Sequence, residues 1–453
     1  MQYKKCELTS WSRYPAQNCT LYRPERYSGF HPVGSSSIAR GAGLSYGDAA
    51  LNENGNVVLS ERINRILRFD EKIGVITAEA GVTLEEILNV IIPKRWFLPV
   101  TPGTQYITLG GAVAADVHGK NHHHDGAFSQ FIEKLEVVTP VGRMNCSAEE
   151  NGALFWATVG GMGLTGFISE VTIKLRPIET AYMSVKHFGA ENLTQLFECF
   201  SDESLDDQYS VAWIDCLASG NELGRGVFMS AHHARINELE EKNKQSPLTC
   251  DDRKPSAIPF DFPGWALNSL TVKALNSFYY KKNSSKDSPF ISNYKEYFYP
   301  LDGVNNWNRM YGKKGFVQYQ CVIPEEKAAE GIRKILETIS SSKQSSFLAV
   351  LKKMGPENKG FLSFPMAGYT LALDLTINNE RIFEILNQLD EMVVSYGGRV
   401  YLAKDARLNE KSFLSMYPDY PKWKKIKNQF DPDNLISSSL ARRLGIMGTG
   451  EKK

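Results

Sequence analysis

Residues 101–124, TPGTQYITLGGAVAADVHGKNHHH, crowd Gly103, Gly110, Gly111 and Gly119 together with Pro102, Asp116, His118 and Lys120. Glycine lacks a Cβ, so its backbone can lie against a bound group and turn N–H donors toward an anion. One glycine-rich turn is a weak signal, because a plain connection between strands looks the same. Two similar runs flank this one: IARGAGLSYGD at 38–48 and FWATVGGMGLTG at 155–166. Three such turns argue for one shared ligand, long and polar at its middle, as a dinucleotide is. The first run does not enter a helix; Tyr46 to Asn56 has no helical apolar period, which disfavours a nicotinamide-binding dinucleotide fold.

Other residue types could act on what is bound there. Lys404 in YLAKDAR follows the apolar VYLA and is bracketed by Asp405 and Arg407, whereas a lone lysine is ordinarily solvated. Gln318 and Gln320 alternate with Val317 and Tyr319, so on a strand both amides share a face, suited to sugar hydroxyls or else to solvent. His122, His123 and His124 are adjacent, cannot all face one ion and lack a completing carboxylate or cysteine, so no metal is expected.

A chain of 453 residues exceeds one hydrophobic core and predicts two domains. With 42% hydrophobic and 23% charged residues it has the composition of a soluble globular protein. Lysine and arginine number 52 against 51 acidic side chains, a net charge of +1, so no chain-wide field attracts nucleic acid. The seven cysteines form no CxxC pair and read as reduced, buried side chains. No signal-peptide-like or membrane-spanning apolar run is present, so a cytoplasmic location is expected, with peripheral contact at the inner membrane face left open.

The positioning elements follow from local pattern. Asn56–Ser60, Ile66–Phe69, Gly74–Glu79 and Glu133–Thr139 read as strands, and Thr83 caps a helix to Ile92 with Glu86 placed for a capping box. Ala112, Ala114 and Ala115 allow close packing beneath a planar group. YSVAW, GFVQYQCVI and YTLALDL predict antiparallel strands, with helices at Glu325–Ser340 and Asn379–Tyr396. In 218–300, Leu267, Leu270, Ala274, Leu275 and Phe278 could line one helical face, with Lys273, Lys281 and Lys282 nearby: either a core helix with a basic end, or a lid over a lipid-linked substrate at a membrane surface.

RGAGLSYGDAALN, PGT…TLGGAVAADVHGKNHH and LFWATVGGMGLTGFI resemble the flavin-binding domain of FAD-dependent oxidases of the vanillyl-alcohol oxidase type, within them the decaprenylphosphoryl-β-D-ribose 2'-oxidase group. The resemblance returns in YSVAWID, YPLDGVNNWNRMYGKKGFVQYQCVIP, GGRVYLAKDAR and FDPDNLISSSLARRL. It implies an α+β, two-domain fold: an FAD-binding domain from 1–180 and 398–453, and an antiparallel-sheet substrate domain at 181–397. It assigns FAD contacts to Arg40, Gly41, Ala42, Gly43, Leu44, Ser45 and Tyr46 in the first run. In the second these are Pro102, Gly103, Thr104, Thr108, Gly110, Gly111, Ala115, His118, Gly119, Asn121 and His122. The third run contributes Gly160, Gly161, Gly163, Leu164, Gly166 and Ile168, and Tyr401 joins from the C-terminal part.

The resemblance makes Lys404 and His118 the catalytic residues, and Tyr46, Trp213, Gln318, Gln320, Lys352, Ala372 and Lys404 the substrate contacts, with Asp374 a weaker candidate. Lys120 and Asn121 read as polar contacts to flavin or sugar phosphate. The implied reaction is oxidation of a polyprenylphosphoryl-β-D-ribose to its 2'-keto form, completed to the arabinose epimer by a short-chain NAD(P)H-dependent reductase as partner. Two alternatives stand beside it: a flavin oxidase of free sugars, sugar alcohols or aldonolactones, and a non-catalytic flavin-binding partner subunit. Relatives that attach flavin covalently use a histidine where this chain has Leu44, so FAD is expected to be non-covalent. Acid precipitation should therefore release the yellow colour into the supernatant; colour retained in the pellet would contradict it.

Overall fold

The segment leading into the central glycine run folds as its local chemistry dictates. The Thr83 hydroxyl accepts from the Glu86 N–H and the Glu86 carboxylate accepts from the Thr83 N–H, closing the capping box of the helix Leu84–Ile91. That helix buries Leu84, Ile87, Leu88 and Ile91 in a core shared with Phe97, Leu109 and Val113. The computed structural model describes the chain apart from residues 1–2, 26–28, 206, 251–254, 264–268, 285–287, 343–345, 347 and 447–453 and the side chains of 269–270.

Two sheets carry the first 175 residues or so. In one, Tyr3–Thr9 pairs antiparallel with Ala16–Tyr22, which runs parallel to Asn56–Leu59, itself parallel to Ser37–Arg40. In the other, Val75–Glu79 and Ile132–Thr139 flank Phe167–Lys174, with Ile66–Asp70 and Gly142–Cys146 at the edges. The expected β surroundings of the glycine runs are partly replaced by short helices. Leu109–Ala114 is helical, and Gly152–Thr158 forms a helix ahead of the third run. Helical placement turns Ala112 into the core, while Ala114 and Ala115 face the central cavity.

An eight-stranded antiparallel sheet follows, in the order Phe290–Asn293, Tyr182–Ala190, Gly226–His233, Tyr209–Ile214, Ala349–Met354, Gly368–Thr376, Phe316–Pro324, Arg399–Val400. Successive side chains alternate faces. Tyr319 reaches Asp390 on the helix Arg381–Ser395, which with Glu325–Ser342 covers one face, so Gln318 and Gln320 point to the other. Because Arg399–Val400 still belongs to this sheet, a domain border at 397/398 falls just before its last strand. The apolar VYLA is therefore a strand only to Val400, beyond which the chain turns.

The helix Ser269–Asn283 departs from the sequence pattern. Leu267 and the Leu270 side chain lie outside the described residues; Ala274, Leu275 and Phe278 are exposed, while Val272 and Asn276 are buried. The expected core face is thus turned outward, because the opposite side packs on the strands Tyr182–Ala190 and Gly226–His233.

The C-terminal segment returns to the first sheet. Ser37 donates its N–H to Leu435 and accepts from Ser437, and the Trp423 indole donates to the Ala157 carbonyl at 2.8 Å. This return hangs on a buried ion pair, Lys427 with Asp431, whose carboxylate also accepts the Leu435 and Ile436 N–H groups at 2.7 and 2.9 Å. Asp431→Ala leaves a buried ammonium and two orphaned donors, and should lower the free energy of unfolding by about 3–5 kcal/mol in urea titrations.

Candidate active site

Close backbone approaches bring the glycine runs together. A Cβ on Gly41 would fall 2.2 Å from the Thr108 hydroxyl, and one on Gly47 would fall 1.6 Å from the Asp405 carbonyl. The first run therefore packs directly on the second and on the turn that carries Lys404. Between these loops and the open face of the eight-stranded sheet lies a cavity of about 850 Å³. That is near the top of the range of roughly 300–1,000 Å³ usual for small-molecule sites.

The cavity wall includes Arg40 to Tyr46, Pro102 to Thr104, Thr108, Gly110, Gly111, Ala115, His118 to Lys120, Gly163, Gly166 and Ile168. Trp213, Gln318, Gln320, Lys352, Ala372, Tyr401 and Lys404 line the same space. The backbone N–H groups of residues 41–45 donate to no atom of the described residues. Five successive free donors on a cavity wall fit the pyrophosphate of FAD. The small residues Ala114, Ala115 and Gly163 leave room on that wall for a flat ring.

His118 sits at the polar centre. The Thr370 hydroxyl donates to the Cys321 carbonyl at 2.9 Å and accepts from Gln320 Nε2 at 3.1 Å, which fixes the orientation of the Gln320 amide. The same amide nitrogen lies 3.0 Å from His118 Nε2, so Nε2 accepts and the neutral ring carries its proton on Nδ1. Nδ1 is 3.3 Å from Lys352 Nζ. Burial, then the nearby Lys352 charge, holds the imidazole pKa well below its ordinary value.

Lys404 forms a second cluster. Its Nζ lies 3.7 Å from the centroid of the Tyr46 ring. Burial lowers its pKa to about 7 against the opposing pull of Asp374. Asp374 is fully buried, accepts from Gln318 Nε2 at 2.5 Å and from the Tyr311 hydroxyl at 3.3 Å, and is itself raised to about 7 by burial. Tyr401 donates its hydroxyl to the Ala115 carbonyl and stacks on Phe364, which ties the C-terminal turn to the second run.

Five of the expected FAD contacts do not line the cavity. Asn121 spends its amide on the Pro99 carbonyl and on Asp125, at 2.8 and 2.6 Å. His122 accepts the Gly355 N–H at 3.0 Å, behind His118, and burial lowers its pKa to about 3. Gly160 and Gly161 bond to Val113 and Thr158, and Leu164 is core, so these three shape the third run without touching the cavity. Sequence reasoning also passed over Thr370, whose hydroxyl matters only through the pairing that sets it beside Lys352. Another omission was the ion-pair trio of Arg443 with Asp48 and Asp405, spread over nearly 400 positions.

Residues 34–147 match the FAD binding domain family, and residues 313–444 match the D-arabinono-1,4-lactone oxidase family. The chain is 37% identical over 417 residues to the decaprenylphosphoryl-beta-D-ribose oxidase of Mycolicibacterium smegmatis, covering 91% of this chain and 90% of that protein. It is 30% identical over 372 residues to an uncharacterized protein in the mprA 5' region of Streptomyces coelicolor, covering 81% of this chain and 100% of that one. Cytokinin dehydrogenase 5 of Arabidopsis thaliana shares 34% identity over 168 residues, 33% of this chain and 30% of its own. With three glycine runs and a free-donor nest on one cavity wall, the chain belongs to the FAD-dependent oxidoreductases of the vanillyl-alcohol oxidase type, on the branch of decaprenylphosphoryl-β-D-ribose oxidase.

Proposed function

We propose that this enzyme oxidises the 2'-hydroxyl of a polyprenylphosphoryl-β-D-ribose to the 2'-keto sugar, the first half of an epimerisation to the arabinose form that a short-chain NAD(P)H-dependent reductase completes. The observation that carries the reading is a row of directly paired residues across the sheet: Gln320, Ala372, Val350, Trp213. Beyond Trp213 the same wall continues through Val211, Met229, Val185 and Phe290 to the sheet edge. One end therefore offers amides, His118, Lys352 and Lys404 to a sugar, and the other offers an apolar lane. A free sugar or aldonolactone would leave that lane without use, whereas a prenyl chain fills it. The relative from Mycolicibacterium smegmatis, named for decaprenylphosphoryl ribose, supports the same substrate class.

Bound FAD supplies the two-electron acceptor for the carbinol hydrogen. Lys404, whose lowered proton affinity keeps a large free-amine fraction at neutral pH, takes the hydroxyl proton. The resulting ammonium stays on the face of Tyr46 and offsets the negative charge that reduction brings into the cavity. The neutral His118 ring, held at Nε2 by Gln320, shapes the wall against which the sugar lies. The apolar lane meets the helix Ser269–Asn283 at Tyr279, which packs on Trp213 with ring centroids 4.6 Å apart. The exposed Leu275 and Phe278 on that helix fit contact with the membrane holding the substrate.

Anaerobic mixing should bleach the flavin with polyprenylphosphoryl ribose and leave it yellow with free pentoses; the reverse order would select the free-sugar reading. Lys404→Met should retain FAD and slow that bleaching by about 10²-fold or more. Because the free amine is the active form, kcat/KM should rise with pH through an apparent pKa near 7. Asp374→Asn removes an attraction that raises the Lys404 pKa, so this limb should move to lower pH. Polar replacement of Leu275 and Phe278 together should reduce recovery of the enzyme with floated anionic liposomes.

A further inference from the structure

Lys120, Lys352 and Lys404 all line the one cavity. Lys404 has Asp374 as a facing negative charge. Lys120 and Lys352 have none: among the described residues no ion pair includes either, and their contacts are neutral groups. Lys120 Nζ donates to the Tyr297 carbonyl and lies 3.9 Å from the Tyr297 ring centroid. Lys352 Nζ meets His118 Nδ1 at 3.3 Å. The two ammonium groups also repel each other, since the charge of Lys352 adds to burial in lowering the Lys120 pKa to about 7. A folded chain gathers two uncompensated cations on a desolvated wall at a cost, which a bound anion offsets.

The N–H groups of residues 41–45 would serve the FAD pyrophosphate. Of the lysine pair, Lys352 stands on the sheet, and Lys120 ends the second run where its carbonyl meets the sheet at Ser210. Lys352 stands on the strand Ala349–Met354 two residues from Val350, where the polar end of the wall gives way to the apolar lane. Lys120 reaches the aromatic residues Tyr297 and Phe298 of the same cavity wall, and its carbonyl accepts the Ser210 N–H at the start of the strand Tyr209–Ile214. In a lipid-linked sugar the only formal charge sits at the same place, between sugar and chain.

We propose that Lys120 and Lys352 form the subsite for the phosphodiester that joins the sugar to the lipid, so that the enzyme measures its substrate from this fixed charge in both directions. The inference rests on the lipid-linked reading above. Sugar placement against His118 and Lys404 and chain placement along Val350, Trp213 and Met229 then follow from one anchor. Lysine suits the task as a mobile point charge that binds a phosphate oxygen without a fixed fork geometry.

The test uses the FAD-loaded enzyme and two probes with the same prenyl chain, farnesyl phosphate and farnesol, titrated while the flavin absorbance spectrum is followed. The wild type should bind farnesyl phosphate at least about ten-fold more tightly than farnesol. Lys120→Gln and Lys352→Gln should each shrink that preference, and together reduce it to within about two-fold, with farnesol affinity unchanged and Lys120→Arg retaining most of the preference. Equal binding of the two probes by the wild type, a preference that survives the double substitution, or a parallel loss of farnesol affinity would overturn the subsite. A phosphate preference lost on substitution in an enzyme whose flavin is not bleached by polyprenylphosphoryl ribose would instead sink the substrate reading and leave the subsite standing.

Discussion

Arg443 is the pin of the molecule. From the short helix Ser439–Arg443 its guanidinium pairs with Asp48 at 2.6 Å and with Asp405 at 2.9 Å, and donates to the Leu408 carbonyl. Asp48 follows the first glycine run, and Asp405 follows Lys404. One cation therefore holds the first glycine run and the turn carrying Lys404 in a common frame, from a segment that is itself tied to the first sheet. Its neighbours raise the Arg443 pKa, and the arginine charges hold that of Asp405 below the ordinary carboxylate range, whereas burial raises that of Asp48. Planar arginine bridges two carboxylates at once, which lysine cannot do in the same geometry.

With that frame set, the antiparallel sheet needs only its two-residue period to divide its labour. Tyr319, Cys321, Leu371 and Leu373 pack against the two long helices, while Gln318, Gln320 and Ala372 line the cavity and Asp374 lies behind Gln318, bonded to its amide. Cross-strand pairing then converts four unrelated sequence positions into one row whose polarity changes along its length. The strands at the polar end of the row lie beside the Lys404 turn, because Tyr401 donates its N–H to Gln320 and Tyr46 donates its own to Ala403. Polar and apolar groups are thus separated along one row, with Gln320 at the end beside the Lys404 turn.

Much of this was legible from local pattern. The Thr83 cap, the strand carrying both glutamines and the helices near 325 and 381 follow from periodicity and capping alone, and the glycine runs announced a shared cradle. What stayed hidden depends on pairing between distant segments. Asn121 looked like a ligand contact because it adjoins His118, yet a neighbouring carbonyl and Asp125 claim its amide. The helix Ser269–Asn283 looked like core because its apolar residues share a face, but the side packed on the sheet is the one holding Val272 and Asn276. The apolar lane could not be seen as a lane, since Val185, Val211, Met229 and Phe290 come from four strands whose order the sequence does not state.

The central claim is that a lipid-linked sugar lies across the sheet with its head at His118 and Lys404 and its chain along the apolar row. The most direct measurement is photocrosslinking of the FAD-loaded enzyme with a polyprenylphosphoryl ribose bearing a diazirine in the first isoprene units, followed by peptide mapping. The account predicts labels on the strands carrying Val211, Trp213, Met229 and Val350. Labels confined to the glycine runs, or scattered over the outer surface and unaffected by excess unlabelled substrate, would contradict it.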